Sequence, residues 1–193
     1  AYYYGRYDFI SNNTITSRNA SATQYGMYIY YYNRVDSGII GNTIEMQGTS
    51  SSYGIYSYYL NHGNTGATNN ALIANNVISK RNAGTFYGIY VYYSNMDVFH
   101  NTVVGRGTGV DYCLYLSTMS STYNAVIKNN MLISQTSSTK YPLYASNTNY
   151  VLQSYGVTLD YNNYYSTTNV GYVGGALTSI AALQDKTKQD VHK

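Results

Sequence analysis

With 193 residues, 10% charged residues and a net charge of only +3, the chain lacks the basic stripe that nucleic-acid binding requires. Its one cysteine excludes an intramolecular disulfide and a cysteine-based metal site, and no apolar run approaches the roughly 20 residues of a membrane span. Tyrosine (28 residues) and β-branched residues are abundant, whereas disordered chains are poor in both. We therefore expect one domain folded as strands.

A short tyrosine phrase recurs along the chain. Its five copies are Tyr25–Tyr28, Tyr53–Tyr56, Tyr87–Tyr90, Tyr112–Tyr115 and Tyr141–Tyr144. After Gly88, Ile89 and Val91 fall on one side and Tyr90 and Tyr92 on the other, which is the period of two of a strand with one buried face. Each copy thus predicts a strand whose second tyrosine points outward.

A second phrase, built around asparagine, alternates with the first. An apolar residue precedes the asparagine by three positions and another follows it by two. The six copies are centred on Asn13, Asn42, Asn76, Asn101, Asn130 and Asn162, and they lie 25 to 34 residues apart. The variation in length falls in clusters of Gly, Ser, Asn and Thr, which are typical of turns. Stacked once per coil, these amides are expected to form a structural ladder.

Two alternating phrases with a period near thirty residues predict a solenoid in which each coil hydrogen-bonds to the next at about 4.8 Å. A sandwich or antiparallel barrel is the alternative, but those folds do not require one phrase to return in every unit. We assign residues 1–176 to about six coils. Residues 177–193 are a short helical insert or the start of a further coil, with Thr178 or Ser179 as the helix cap and Ile180 and Leu183 on its inner face.

Particular phrases carry a family resemblance. Asn12-Asn13-Thr14-Ile15 and Gly41-Asn42-Thr43-Ile44 resemble repeats of the right-handed parallel β-helix, or pectate-lyase-like, superfamily. The segments 160–165, 177–184 and 189–190 are similar to a stretch found in large secreted or cell-surface β-helix proteins of Bacteroidota. The resemblance implies an all-β, right-handed parallel β-helix and an extracellular or cell-surface location.

The two ends of the chain also match parts of this repeat. Residues 2–8 parallel residues 30–36, so residue 1 falls inside a tyrosine strand, and the relatives continue into further strand after the helical insert. We therefore interpret the chain as an excerpt of a longer solenoid whose end coils expose strand edges.

The outward tyrosines are the candidate surface for a ligand or a partner. They are expected in two columns: Tyr28, Tyr56, Tyr90, Tyr115 and Tyr144 in one, and Tyr2, Tyr30, Tyr58 and Tyr92 beside it. One interpretation is a ladder that only stabilises the sheet. The others are docking of a partner protein or of another segment of the same polypeptide, and docking of glycan rings on a flat aromatic strip.

The acidic residues and histidines give no catalytic or metal site. Asp8, Asp36 and Asp97 occupy similar places, and Arg6 and Arg34 precede two of them, so an Asp/Arg turn network is expected. Calcium or sugar chemistry needs several carboxylates at one point.

The histidines and the cysteine have no catalytic arrangement either. His62 and His100 lie in different parts of their coils, with His100 expected in a solvent-facing turn, and Cys113 is expected to be buried. No cofactor is indicated.

Three functions remain in view. The first is a non-catalytic structural or adhesive segment of an exported bacterial surface protein. The second is a polysaccharide lyase or hydrolase whose active site lies partly outside this chain, and the third is a glycan-binding module. The fold by itself does not choose among them.

Overall fold

A computed structural model describes residues 2–3, 9–18, 21–30, 38–60, 70–119, 124–151 and 153–192, with only the backbone described at residues 2–3. Over these residues the chain is an all-β parallel solenoid, so the predicted fold class is confirmed. Six successive triplets of strands are stacked, and each triplet contributes one strand to each of three sheets, which gives about five turns.

The strands are numbered β1 to β20 in chain order. The first sheet contains β2 (Phe9–Ser11), β5 (Gly38–Ile40), β8 (Ala71–Ala74), β11 (Met96–Phe99), β14 (Ala125–Lys128) and β17 (Val157–Asp160). The second contains β3 (Thr14–Ser17), β6 (Thr43–Met46), β9 (Val77–Lys80), β12 (Thr102–Gly105), β15 (Met131–Ser134) and β18 (Asn163–Ser166).

The third sheet carries the tyrosine phrases. It contains β1 (Tyr2–Tyr3), β4 (Gln24–Tyr30), β7 (Ser52–Tyr58), β10 (Phe86–Tyr92), β13 (Asp111–Leu116), β16 (Lys140–Ala145), β19 (Gly171–Val173) and β20 (Ala176–Leu177). All neighbours in it are parallel except β19 and β20, which form an antiparallel pair.

The core is a set of apolar files that run the length of the solenoid. The apolar residues of the asparagine phrase supply two of them: Ile10, Ile39, Ile73, Val98, Ile127 and Leu159 in the first sheet, and Ile15, Ile44, Ile78, Val103, Leu132 and Tyr164 in the second. Nearly all of these side chains are buried, and each buried aliphatic side chain contributes roughly 1.5–3 kcal/mol.

In each coil, one residue in the left-handed backbone conformation turns the chain from the first sheet into the second. It immediately precedes each ladder asparagine, with φ between 54° and 57° at Asn12, Asn75, His100, Asn129 and Tyr161, and with Gly41 at 68°. Asparagine and glycine adopt this conformation most readily. His100 is exposed at one of these corners, as its sequence position predicted.

A bulge interrupts each tyrosine strand. In β7, Gly54 and Ile55 are both buried, and the pairing with β10 passes from Tyr53 directly to Ile55. A Cβ at Gly54 would lie 2.3 Å from the Ile78 Cγ2 atom and 2.5 Å from the Gly88 carbonyl oxygen, so this position faces the packed interior. The strands still pair one residue to one, so the bulge here consists of two successive inward-facing residues in every strand. These two residues reverse the alternation, and consequently both tyrosines of the phrase point outward.

The C-terminal segment folds back on the last coil. Two 3₁₀ turns (Thr148–Val151 and Gln153–Tyr155) lead into β17, and helix α1 (Ile180–Thr187) follows β20. Ser179 accepts a hydrogen bond from the Ala182 amide at 3.1 Å and caps α1. Of the two predicted cap residues, Thr178 and Ser179, the cap is therefore Ser179. Leu183 is fully buried and Ile180 packs on the core.

Candidate functional site

The outer surface of the third sheet, here called the tyrosine face, carries three files of stacked tyrosines. The first file is Tyr25, Tyr53, Tyr87, Tyr112 and Tyr141; the second is Tyr28, Tyr56, Tyr90, Tyr115, Tyr144 and Tyr172; the third is Tyr30, Tyr58 and Tyr92. The structure thus brings together eight of the nine tyrosines singled out from the sequence, and only the backbone of the ninth, Tyr2, is described.

Two features of the tyrosine face differ from the sequence prediction. If inward and outward residues alternated strictly, counting back from the apolar residue of each tyrosine phrase, the first file would lie inside the solenoid. The bulge places it outside. Tyr2 was expected beside Tyr30, but it pairs with Tyr28, so its position belongs to the second file. In three of the five phrases a glycine between a tyrosine and an apolar residue was a sequence signal of the bulge, whereas the other two have Cys113 and Pro142 at this position.

Rings within one file lie face to face. In the second file the successive ring centres are 4.6–5.0 Å apart and their planes differ by 4–16°. Rings of the first and second files meet edge to face, as at Tyr25 and Tyr56, whose planes differ by 87°. Each inner ring therefore has both faces covered by its neighbours, and the tyrosine face presents ring edges and hydroxyl groups outward.

Four tyrosines of the first and second files hold their hydroxyl protons well above neutral pH. Partial burial, reinforced by neighbouring tyrosines, raises the pKa of Tyr112 to about 12. The same two causes, in the same order, raise the pKa values of Tyr53, Tyr56 and Tyr115. These four hydroxyls are consequently neutral groups that both donate and accept hydrogen bonds.

The six asparagines of the second phrase form a continuous column. In each step the backbone amide and the side-chain amide of one asparagine both donate to the Oδ1 atom of the next, at 2.9–3.1 Å, from Asn13 to Asn162. Except at Asn13, the Nδ2 atom also reaches a carbonyl of the preceding coil, for example Ile39 O from Asn76 at 2.8 Å. Five of these side chains are buried, so the column is a structural element.

The asparagine column ends on a carboxylate that sequence reasoning did not single out. Asn162 donates its backbone amide to Asp190 Oδ1 at 3.1 Å and its side-chain amide to Oδ2 at 3.3 Å, and the Tyr164 hydroxyl donates to the same carboxylate. Burial raises the pKa of Asp190.

Gln189, next to Asp190, also hydrogen-bonds to the last coil. Its Oε1 atom accepts from the Leu159 amide at 2.8 Å and its Nε2 atom donates to the Val151 carbonyl at 2.6 Å, while the Asp190 amide donates to the Leu159 carbonyl. At this corner the edge of the last coil is therefore hydrogen-bonded, where the sequence had suggested an open edge.

A shallow pocket lies between α1 and the last coil. Its lining includes Tyr161, Asn163, Ile180 and Asp190. The Asp190 carboxylate in this lining accepts hydrogen bonds from Asn162 and Tyr164, so it belongs to the end of the asparagine column.

Two buried ionisable side chains, Lys80 and Asp111, lie at the corner between the second and third sheets. Lys80 Nζ donates to the Ser50 and Thr85 carbonyls and to the Ser52 hydroxyl at 3.0–3.3 Å, and burial lowers its pKa to about 8. Asp111 accepts from the Ser134 hydroxyl through Oδ2, whereas its Oδ1 atom has no hydrogen-bond partner. Burial raises the pKa of Asp111 to about 6.

Most of the remaining sequence candidates lie outside the described residues. Asp97 accepts a hydrogen bond from Asn70 at 2.7 Å, while Asp8, Asp36, both arginines of the proposed turn network and His62 lie outside the described residues. Burial raises the pKa of Cys113, whose thiol donates to the Ile133 carbonyl. Among the described residues no three His, Cys, Asp or Glu side chains are grouped to hold a metal ion, and no helix is long and apolar enough to cross a membrane.

Comparison with known proteins adds no further information on the site. No protein-family model matches the sequence, and no curated protein and no solved structure shows significant similarity to it. The interpretation of the tyrosine face therefore depends on its geometry.

Proposed function

We propose that this chain is a structural and adhesive segment of an exported bacterial surface protein and that its tyrosine face docks a partner protein. The observation that carries the proposal is the tyrosine face itself, in which three adjacent files present ring edges and neutral hydroxyls along the longest sheet. Tyrosine is enriched in protein interfaces because one rigid side chain supplies both apolar area and a hydrogen-bonding group.

The ring geometry favours a protein partner over a glycan. Sugar rings bind aromatic side chains through the ring faces, and the inner faces of each file are already covered at 4.5–5.1 Å by the neighbouring tyrosines in the most regular part of the sheet. A protein surface can instead use the edges and the hydroxyl fringe. Glycan binding is thus the second candidate, supported by the same hydroxyls.

The proposal includes a right-handed coil, kinship with the pectate-lyase-like superfamily and an extracellular or cell-surface location. Its support is the asparagine phrase, together with the similarity of the C-terminal segment to secreted β-helix proteins of Bacteroidota. The lyase or hydrolase alternative has the same fold-level support and no assembled acid group in the described residues to add to it.

Adhesion of the purified chain to immobilised matrix proteins such as collagen, and to immobilised polysaccharides, tests the proposal. The double variant Tyr56→Lys/Tyr90→Lys places charge in the middle of the tyrosine face. The matched control Thr43→Lys/Thr102→Lys places the same charge on the outer side of the second sheet. We expect adhesion to protein that only the tyrosine variant loses.

Three results would contradict the proposal. Equal adhesion by the two double variants, or adhesion to polysaccharide alone, would remove protein docking by the tyrosine face. Release of reducing or unsaturated sugar ends from a polysaccharide by the purified chain would show an enzyme instead. Folding of every variant is checked by circular dichroism.

A further inference from the structure

The closest ring pairs of the tyrosine face lie between the coils of β7 and β10. The ring centres of Tyr53 and Tyr87 are 4.5 Å apart with planes 5° apart, and those of Tyr58 and Tyr92 are 4.5 Å apart with planes 3° apart. Both pairs are directly opposite each other in the parallel register. The backbone of the sheet therefore holds identical ring atoms of two coils next to each other.

The parallel register and the nearly parallel ring planes place the two phenol groups of each pair side by side. Parallel, in-register rings with adjacent hydroxyls have their ortho carbons adjacent as well. Resonance spreads the unpaired electron of a phenoxyl radical over the oxygen, the ortho carbons and the para carbon. Because the side chain blocks the para carbon, two such radicals couple at their ortho carbons.

We propose that the tyrosine face is a site of oxidative cross-linking, in which a peroxidase-class oxidant joins Tyr53 to Tyr87 and Tyr58 to Tyr92 by biaryl bonds between successive coils. Each phenol loses one electron and one proton, and the two radicals form one carbon–carbon bond between ortho carbons. The two ortho hydrogens then move as protons to the two phenol oxygens, which restores both hydroxyl groups and both aromatic rings. Hydrogen peroxide accepts the two electrons and the two protons lost from the hydroxyls and becomes two molecules of water.

The spacing of the coils favours this product. A biaryl has its ring centres close to the separation already present in the two pairs, so coupling requires rotation about the side-chain bonds and no separation of the strands. Each cross-link closes a loop of 34 residues and restricts the unfolded chain. The inference goes beyond the proposed adhesion, since it concerns covalent reinforcement of the solenoid and needs no docked partner.

Treatment of the dilute, folded chain with horseradish peroxidase and hydrogen peroxide tests the inference. The monomer is isolated by gel filtration, its intact mass is measured, and cross-linked peptides are identified by tandem mass spectrometry. We expect a monomer that has lost two hydrogen masses per cross-link, with 53–87 and 58–92 as the most abundant pairs. The same treatment in concentrated urea is expected to lose this pair preference.

A matched set of variants locates the reaction. Tyr87→Phe keeps a ring for stacking but has no phenol, so we expect loss of the Tyr53–Tyr87 product and retention of the Tyr58–Tyr92 product. Tyr161→Phe, at an exposed corner outside the tyrosine face, is expected to change neither. An unchanged monomer mass, coupling only between chains, or the same pair yields in urea would overturn the inference.

Discussion

Replacing Asn101 by alanine removes a middle member of the asparagine column. Asn101 is 1% exposed, and its Nδ2 atom donates to the Ile73 and Phe99 carbonyls and to Asn130 Oδ1 at 2.8–3.0 Å. Its Oδ1 atom accepts from the amide and the Nδ2 atom of Asn76 at 3.1 and 2.9 Å. The variant loses these five hydrogen bonds and leaves the buried Asn76 amide without its acceptor.

The expected loss follows from these contacts. A buried hydrogen bond contributes about 1 kcal/mol net and a buried group left unsatisfied costs about 1–3 kcal/mol, but some partners of Asn101 keep other bonds. Asn76 Nδ2, for example, still reaches Ile39 O. We therefore expect Asn101→Ala to lower the free energy of unfolding by about 3–4 kcal/mol, a large fraction of the stability of a typical domain.

The control is Asn13→Ala, at the first step of the column. Asn13 donates from Nδ2 to Ser11 O and Asn42 Oδ1, and it is only partly buried, so water replaces much of the loss. We expect a decrease of about 1 kcal/mol for this variant. Urea denaturation followed by circular dichroism measures both. Equal losses, or less than about 1 kcal/mol for Asn101→Ala, would refute a cooperative column as the source of stability.

Two further outcomes concern the interior. Gly88→Ala places a Cβ 2.2 Å from Val103 Cγ1 and 2.5 Å from the Cys113 carbonyl oxygen, so we expect the free energy of unfolding, measured by urea denaturation, to fall by about 3 kcal/mol. The control Gly175→Ala, whose Cβ meets no atom within 4 Å, should lose under about 0.5 kcal/mol. Similar losses in the two variants would contradict the packing at the bulge. Because the folded-state pKa of Asp111 is raised to about 6, its stabilising contribution is complete below the unfolded-state pKa near 4 and is lost as pH rises to 6. Asp111 should therefore contribute a fall of about 2 kcal/mol in the unfolding free energy across this interval. The fall should be smaller by that amount in Asp111→Asn and unchanged in the exposed control Asp185→Asn. A fall as large in Asp111→Asn as in the wild type would place the titration elsewhere.

The sequence by itself determined the solenoid and its two main columns. Residues in stacked coils occupy equivalent places, so a repeated phrase in the chain becomes a column in space. For that reason Asn101 and its five counterparts were assigned from periodicity alone. So were five of the six tyrosines of the second file, all except Tyr172. The two apolar residues around each asparagine likewise predicted the core.

Tertiary structure alone decided what the alternation of side chains could not. The first tyrosine file faces outward because the glycine bulge fits against Ile78 and Val103 of the second sheet, residues that are distant in sequence. The hydrogen bonds that end the asparagine column depend on α1, which brings the Asp190 carboxylate onto Asn162. The raised pKa of Asp111 depends on the burial of its carboxylate opposite Gly105. Stacking that covers the ring faces is equally a property of the three-dimensional register, since one-dimensional spacing carries no information on ring orientation.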